Sequence, residues 1–244
     1  MSGAEPVDSV LPLVLEEVVF EAGGRRLLHD VAFRLEAGPV SVILGPNGSG
    51  KSLTLRLCEG LLTPTAGRVR WLGPGAHHAA HARAMVFQRP VMLRRSAAAN
   101  VDYGLRLRGV ARDERRARIE RVLSAVGLAE LAGRPARLLS VGQKQRLALA
   151  RTWALEPQVL FLDEPAAALD PRACRDLEDA VRRVRDDGTK IVMTTHDLAQ
   201  ARRMADEVLF LDGGRLMEQT PAPEFFERPR TNEARAFLQG EILP

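Results

Sequence analysis

The segment Gly45-Pro46-Asn47-Gly48-Ser49-Gly50-Lys51-Ser52 constrains this chain more than any other. It follows an apolar run at residues 39–44 and precedes a stretch carrying Leu53, Leu55, Leu57 and Leu61. The run reads as a strand and the stretch as a helix, ended by Thr63-Pro64. A strand that feeds a glycine-rich loop opening a helix is a unit of a parallel α/β sheet. The spacing G-x-x-x-x-G-K-[ST] suits a chain of phosphates. Glycines let backbone N–H groups turn inward, and the helix adds its positive end. Lys51 then reaches the β- and γ-phosphates and the Ser52 hydroxyl holds Mg²⁺. ATP and Mg²⁺ are the expected ligands, cradled by Gly45, Pro46, Asn47, Gly48, Ser49, Gly50, Lys51, Ser52 and Leu53. A glycine-rich turn arises by chance often enough; the full pattern between a strand and a helix seldom does.

Other segments extend the α/β reading. Residues 13–20, 31–35, 69–72, 85–88, 191–195 and 208–211 carry strand patterns. Residues 208–218 read as a hairpin around Gly213-Gly214. Residues 159–162 form a continuous apolar run, as a strand buried on both faces does. Between residues 90 and 157 the character is helical. Ile119, Val122, Leu123 and Val126 keep helical spacing, with Asp113 as the expected N-cap and Gly127 as the stop. Asp170-Pro171 opens a helix whose buried stripe is Leu177, Ala180, Val181 and Val184, and Gly188 closes it. Asp197 caps a further helix, and a last one is expected near residues 233–238. The expected organisation is one domain over residues 13–240. Its core spans 13–88 and 157–240, a helical subdomain is inserted at 89–156, and residues 1–12 are a flexible tail.

A second group of candidates lies at strand ends, where parallel α/β sheets bind ligands. Asp163 suits a Mg²⁺ shell, and Glu164 suits a general base that polarises the attacking water. His196 follows the strand at 191–195 and could orient that water; taken alone, a capping or core histidine is the simpler reading. Gln88 could ligate Mg²⁺ or position water, although most glutamines only face solvent. His77 and His81 would share one face of a helical turn, as a metal pair must, but a surface loop accounts for them more simply.

Composition narrows the class further. Hydrophobic residues make up 45% and charged residues 27%, ordinary globular usage. No apolar run approaches the ~18–20 residues that cross a bilayer, and no basic stretch precedes an apolar one at the start. Cys58 and Cys174 lack any metal-site spacing and read as small apolar residues. Net charge is +4. Residues 89–121 hold ten arginines against four acids. A solvated helical surface explains that stretch; an anionic partner is the sharper alternative, but no interleaved aromatics are present to stack bases.

The stretch Leu139-Ser140-Val141-Gly142-Gln143 resembles the LSGGQ signature of ABC-type ATPases. Signature, Asp163-Glu164 and Ala168-Leu169-Asp170 stand in that family's order and spacing, and the resemblance covers about residues 13–238. It implies an α/β fold: a P-loop NTPase core with a mostly parallel sheet, an antiparallel β subdomain and an inserted helical subdomain. It also implies roles for single residues. Gln88 and His196 join Glu164 in catalysis, and Gln88, Ser52 and Asp163 hold Mg²⁺. Two subunits pair head to tail. Ser140, Gly142 and Gln143 of one close on the γ-phosphate held by Lys51 of the other, with Asp170 at the contact. The pair of ATPases, identical or not, serves integral membrane permease subunits from the cytoplasmic face of the membrane. An extracytoplasmic solute-binding protein is expected with them, and no nucleic acid.

Two positions depart from the family. Val141 replaces a glycine, and a β-branched residue does not readily supply positive φ or close approach. Ala22 stands where a base-stacking aromatic is expected; Phe20 lies on the same face if the strand is regular. Around Gln88, residues 86–96 resemble ATPases of oxyanion importers of the tungstate/molybdate type. The competing readings are an exporter ATPase and an ABC-type ATPase acting on nucleic acid or ribosomes. The latter usually carries tandem domains or long coiled coils, and neither is seen. A non-hydrolysing module is disfavoured by Lys51, Asp163, Glu164 and His196.

Overall fold

The apolar run entering the glycine-rich loop is a four-residue strand, Ser41–Leu44, buried at every position. The structure, a computed structural model, describes residues 8–240. Its elements in chain order are β1 (Leu13–Ala22), β2 (Arg25–Leu35), β3 (Ser41–Leu44), α1 (Lys51–Glu59), β4 (Ala66–Trp71), α2 (Ala79–Ala82) and β5 (Arg83–Val86). Then follow α3 (Ala97–Leu107), α4 (Arg112–Ala125), α5 (Val141–Trp153), β6 (Val159–Asp163), α6 (Pro171–Asp186) and β7 (Lys190–Thr195). The last are α7 (Leu198–Met204), β8 (Glu207–Asp212), β9 (Arg215–Pro221), α8 (Ala222–Glu227) and α9 (Asn232–Gln239). The described residues form two compact units, one of residues 8–83 with 190–240 and one of Ala84–Thr189.

The first unit holds the glycine-rich loop. Here β7, β3, β8 and β9 lie side by side in that order. Strand β3 is parallel to both neighbours, with Ser41 opposite Val192 and Glu207, and Leu44 opposite Thr195 and Phe210. Parallel pairing brings the chain after Leu44 and the chain after Thr195 out at the same, C-terminal ends of the strands. The loop and His196 are therefore neighbours by topology. A separate antiparallel sheet, ordered β2-β1-β4, registers Leu13 against Leu35 and Trp71. Its apolar residues Leu13, Leu15, Val18, Leu28, Val31 and Leu35 are buried.

In the second unit β6 is buried at all five positions and neighbours β5. The expected stripe of α6, Leu177, Ala180, Val181 and Val184, is buried. Of the stripe expected on α4, Val122, Leu123 and Val126 are buried and Ile119 is half-buried. Helix α5, for which no stripe was expected, buries Leu147, Ala148, Leu149, Ala150 and Trp153. The resulting α/β architecture, with parallel strands, an antiparallel sheet and a helical block, is the expected fold class.

Several local expectations differ. Helix α1 stops at Glu59, well before Thr63-Pro64, because Gly60 turns left-handed and returns its N–H to the Arg56 and Leu57 carbonyls. Asp113 is not the N-cap of α4; Ala111 holds that place and Asp113 lies in the first turn, where its charge offsets the helix's positive end. Of the expected tail, residues 1–7 lie outside the described residues. Ser9, Val10 and Leu11 are buried, and the Ser9, Val10 and Pro12 carbonyls accept from Gly75, Gly73 and Leu72. Those bonds tie the segment to the end of β4, so it is not loose. The β1–β2 register shifts between Phe20 and Glu21, so the regular strand that would align Phe20 with Ala22 is absent. Cys58 is buried and burial pushes its thiol pKa far up; Cys174 is only half-buried and its Sγ bonds Glu178. No helix among the described residues is long and apolar enough to cross a membrane.

Candidate functional site

Backbone crowding explains the glycine at the loop's entrance. A Cβ on Gly45 would lie 2.0 Å from the Leu211 carbonyl oxygen and 2.8 Å from Ser49 Oγ. Only glycine lets β3 turn so closely over β8. At the other end Gly50 is the N-cap of α1, with φ 96° and no side-chain cap. The first N–H groups of α1, at Lys51, Ser52 and Leu53, therefore receive no oxygen from the cap residue. Lys51 is buried, and its ammonium donates to the Gly45 and Pro46 carbonyls at 2.9 and 2.8 Å. Ser49 Oγ is buried without a hydrogen-bond partner. A buried cation, an unused hydroxyl and an uncapped helix end together fit a chain of anionic oxygens. Asn47 and Gly48 are exposed, Pro46, Ser52 and Leu53 half-buried. His196 is exposed just past the C-terminal end of β7, ahead of Asp197, which caps α7 by accepting from Ala199 and Gln200.

The second unit carries the acidic pair. Asp163 ends β6 and is 2% exposed. Glu164, the next residue, has φ 40°, left-handed backbone that a side chain disfavours. Strain at a candidate base is a pointer to function. The Gln88 carboxamide donates to Glu164 Oε2 at 3.3 Å. Sequence reasoning assigned these two side chains separately; the fold brings them together. Within this unit the side-chain oxygens of Gln88 and Asp163 are hard donors of the kind Mg²⁺ takes; the Ser52 hydroxyl of the first unit is a donor of the same class.

The signature segment starts α5. Ser140 is its N-cap, and a reciprocal capping box ties Ser140 to Gln143: Ser140 Oγ accepts from the Gln143 N–H and Gln143 Oε1 accepts from the Ser140 N–H. Gln143 thus has a local task beside any ligand. Val141 is the first helical residue, 55% exposed, and not among the positive-φ residues. The backbone at this position asks for no glycine. Gly142 does have a packing reason, since a Cβ there would meet Ala173 Cβ at 2.9 Å. Asp170 caps α6, and Oδ1 accepts from both Arg172 and Ala173 N–H. The Ala173 bond, more than any other cause, holds its carboxyl below the usual carboxylate range.

Sequence reasoning missed Gln145. It lies on α5, 4% exposed, and its Nε2 donates to the Gln88 carbonyl at 2.7 Å. Asn100 was missed too; fully buried on α3, it bonds both N–H and C=O of Leu93 and the Arg95 and Ser96 carbonyls. The available signal was a polar residue inside an apolar helix stripe. In the arginine-rich stretch, Arg115 pairs with Asp102 at 2.7 Å, and Arg118 and Arg121 with Glu156 at 2.9 Å, the pattern of a solvated, cross-linked surface.

Comparison with known proteins accords with this geometry. The family model described as ABC transporter matches residues 28–167. A probable anion import ATP-binding protein of Haloferax volcanii is 34% identical, covering 91% of this chain and 84% of that protein. A methionine import ATP-binding protein of Corynebacterium diphtheriae is 35% identical over 92% of this chain and 69% of its own length. The tungstate uptake system ATP-binding protein of Peptoclostridium acidaminophilum is 35% identical over 80% and 92%. The solved structure of cbiO1 from Clostridium perfringens, part of an ABC transporter complex, superposes with TM-score 0.79 at 30% identity, covering 89% and 91%. The chain belongs to the ABC transporter family, as an ATP-binding subunit that hydrolyses ATP.

Proposed function

We propose that this ATPase powers import of an oxyanion such as tungstate or molybdate through separate permease subunits. It would sit peripherally on the cytoplasmic face of the membrane, paired with a second ATPase subunit and served by an extracytoplasmic solute-binding protein. The observation that carries the reading is the likeness to relatives named for anion import and tungstate uptake, the second matched over nearly its whole length. The methionine import relatives are as similar, so the cargo is the part to test.

The residues divide the work as follows. Lys51, the N–H groups opening α1 and the Ser49 hydroxyl bind the phosphates. Ser52, Asp163 and Gln88 would hold Mg²⁺, which when bound neutralises charge on the β- and γ-oxygens. Glu164 takes the proton of the attacking water as the new bond to the γ-phosphorus forms and the bond to the β,γ-bridging oxygen breaks. His196 orients that water, and Gln88 sets the Glu164 carboxylate. Ser140, Gly142, Gln143 and Asp170 serve the paired subunit's nucleotide, with α5 presenting its positive end. No aromatic is assigned to the base, since Phe20 is half-buried and out of register with Ala22.

Deleting the gene and measuring cell-associated tungsten, molybdenum and labelled methionine tests the cargo. Loss of tungstate or molybdate uptake alone is expected. Loss of methionine uptake alone would move the assignment to an amino-acid importer. Co-purification with nucleic acid and no membrane subunit would remove the transport reading.

A further inference from the structure

We infer that Gln145 is a positioning residue for hydrolysis, fixing the segment that carries Gln88 so that the Gln88 carboxamide holds Glu164. The inference rests on the roles proposed above for Gln88 and Glu164. Residues 87–95 form neither helix nor strand, so their backbone groups need partners from elsewhere. Side chains from two helices supply them. Gln145 donates to the Gln88 carbonyl at 2.7 Å, Arg151 to the Val91 carbonyl at 3.0 Å, and Asn100 binds Leu93 and Arg95. Only the Gln145 bond falls on the residue whose side chain meets Glu164. Gln145 lies five residues after Ser140 on α5, so one rigid helix carries both the signature segment and the grip on Gln88.

The other end of the same amide shows how to separate this role from packing. Gln145 Oε1 is buried and accepts no hydrogen bond. Gln145→Met keeps length and volume, removes the Nε2 donor and also removes that unsatisfied acceptor. The cost of one lost bond is offset by relief of one buried, unpaired oxygen. A purely structural glutamine would thus be replaced with little consequence.

The experiment is steady-state ATPase kinetics of the full chain with MgATP, beside thermal unfolding. For Gln145→Met we expect an unchanged melting temperature, an unchanged KM and a kcat lower by about tenfold, the size of effect that misplacing a reacting group by a fraction of an ångström produces. Gln145→Leu, tested in parallel, should behave alike. Because Gln145 acts through Gln88, the double variant Gln88→Ala/Gln145→Met should be no slower than Gln88→Ala alone. A wild-type kcat in both Gln145 variants, multiplicative losses in the double variant, or a kcat loss that only tracks a fall in melting temperature would overturn the inference. If Gln88→Ala and Glu164→Gln themselves kept the wild-type rate, the site roles would fail first. If those two lose activity and Gln145→Met does not, Gln145 alone is misassigned.

Discussion

The side chain of Gln88 reaches the carboxylate of Glu164, donating to Oε2 at 3.3 Å from the segment that leaves β5. Glu164 meets it from a left-handed backbone, φ 40°, directly after the buried strand β6. The neutral amide orients the carboxylate through a single hydrogen bond. Glu164→Gln keeps the shape and removes the proposed base. Its kcat should fall by roughly 10²–10⁴-fold, while binding of a fluorescent ATP analogue stays at the wild-type level. A turnover within twofold of wild type would remove Glu164 from the mechanism.

Lys51 donates to the loop's own carbonyls at 2.9 and 2.8 Å, and in the proposed role it exchanges these bonds for phosphate oxygens. Lys51→Ala should weaken ATP binding by roughly 10–100-fold, the loss of a charge-assisted bond of about 1.5–3 kcal/mol. Isothermal titration with MgATP reads it directly. ADP, which lacks the γ-phosphate, should lose less than ATP does.

Much of this arrangement is legible in the amino-acid sequence. The loop at residues 45–52 was readable because its chemistry is local: glycines, an uncapped helix and a lysine lie within eight positions. The stripe of α6 and the caps at Asp170 and Asp197 were readable for the same reason, since helical period and capping are short-range. What escaped depends on partners distant in sequence. That Gly45 is required by the Leu211 carbonyl, and Gly142 by Ala173, cannot be seen from either glycine alone. The Gln145 bond spans 57 positions and the Gln88 bond to Glu164 spans 76. The end of α1 was missed because Gly60 stops the helix while Leu61 still continues its apolar pattern.

Gly142 tests whether packing or ligand contact fixes the signature glycine. Its absent Cβ would sit 2.9 Å from Ala173 Cβ on α6. Gly142→Ala should destabilise the chain by about 1–3 kcal/mol, the usual cost of overpacking. Adding Ala173→Gly removes the clash and should recover most of that stability in urea unfolding. Activity that returns with stability points to packing. Stability that returns without activity leaves a role toward nucleotide.

Val141 is the position where this chain departs from the LSGGQ pattern, and its helical backbone shows that the side chain, not φ, is what differs. Val141→Gly should alter stability by no more than about 1 kcal/mol, the glycine penalty in a helix. Its effect belongs to the face the residue exposes. With Glu164→Gln as background, ATP-dependent dimerisation measured by size exclusion should tighten when the exposed isopropyl group is removed. Identical dimer fractions would mean that Val141 is neutral at the contact.

Asp170 gives the pH prediction. Its carboxylate caps α6, and the Ala173 N–H foremost, then Arg172, holds its pKa below the ordinary aspartate value of about 3.9. A carboxyl whose folded pKa lies below its unfolded one binds protons more readily in the unfolded chain. The stability it contributes is therefore fully present above the unfolded pKa and is lost as pH falls through the folded one. Asp170→Asn keeps an acceptor at the N-cap but cannot ionise. The melting temperature of the native chain, taken relative to Asp170→Asn, should be constant from pH 7 to about pH 5 and decline below about pH 4. At neutral pH Asp170→Ala should be less stable than either, and that gap should narrow in acid. A difference between Asp170 and Asp170→Asn that stays flat down to pH 2 would show that the cap draws nothing from the charge.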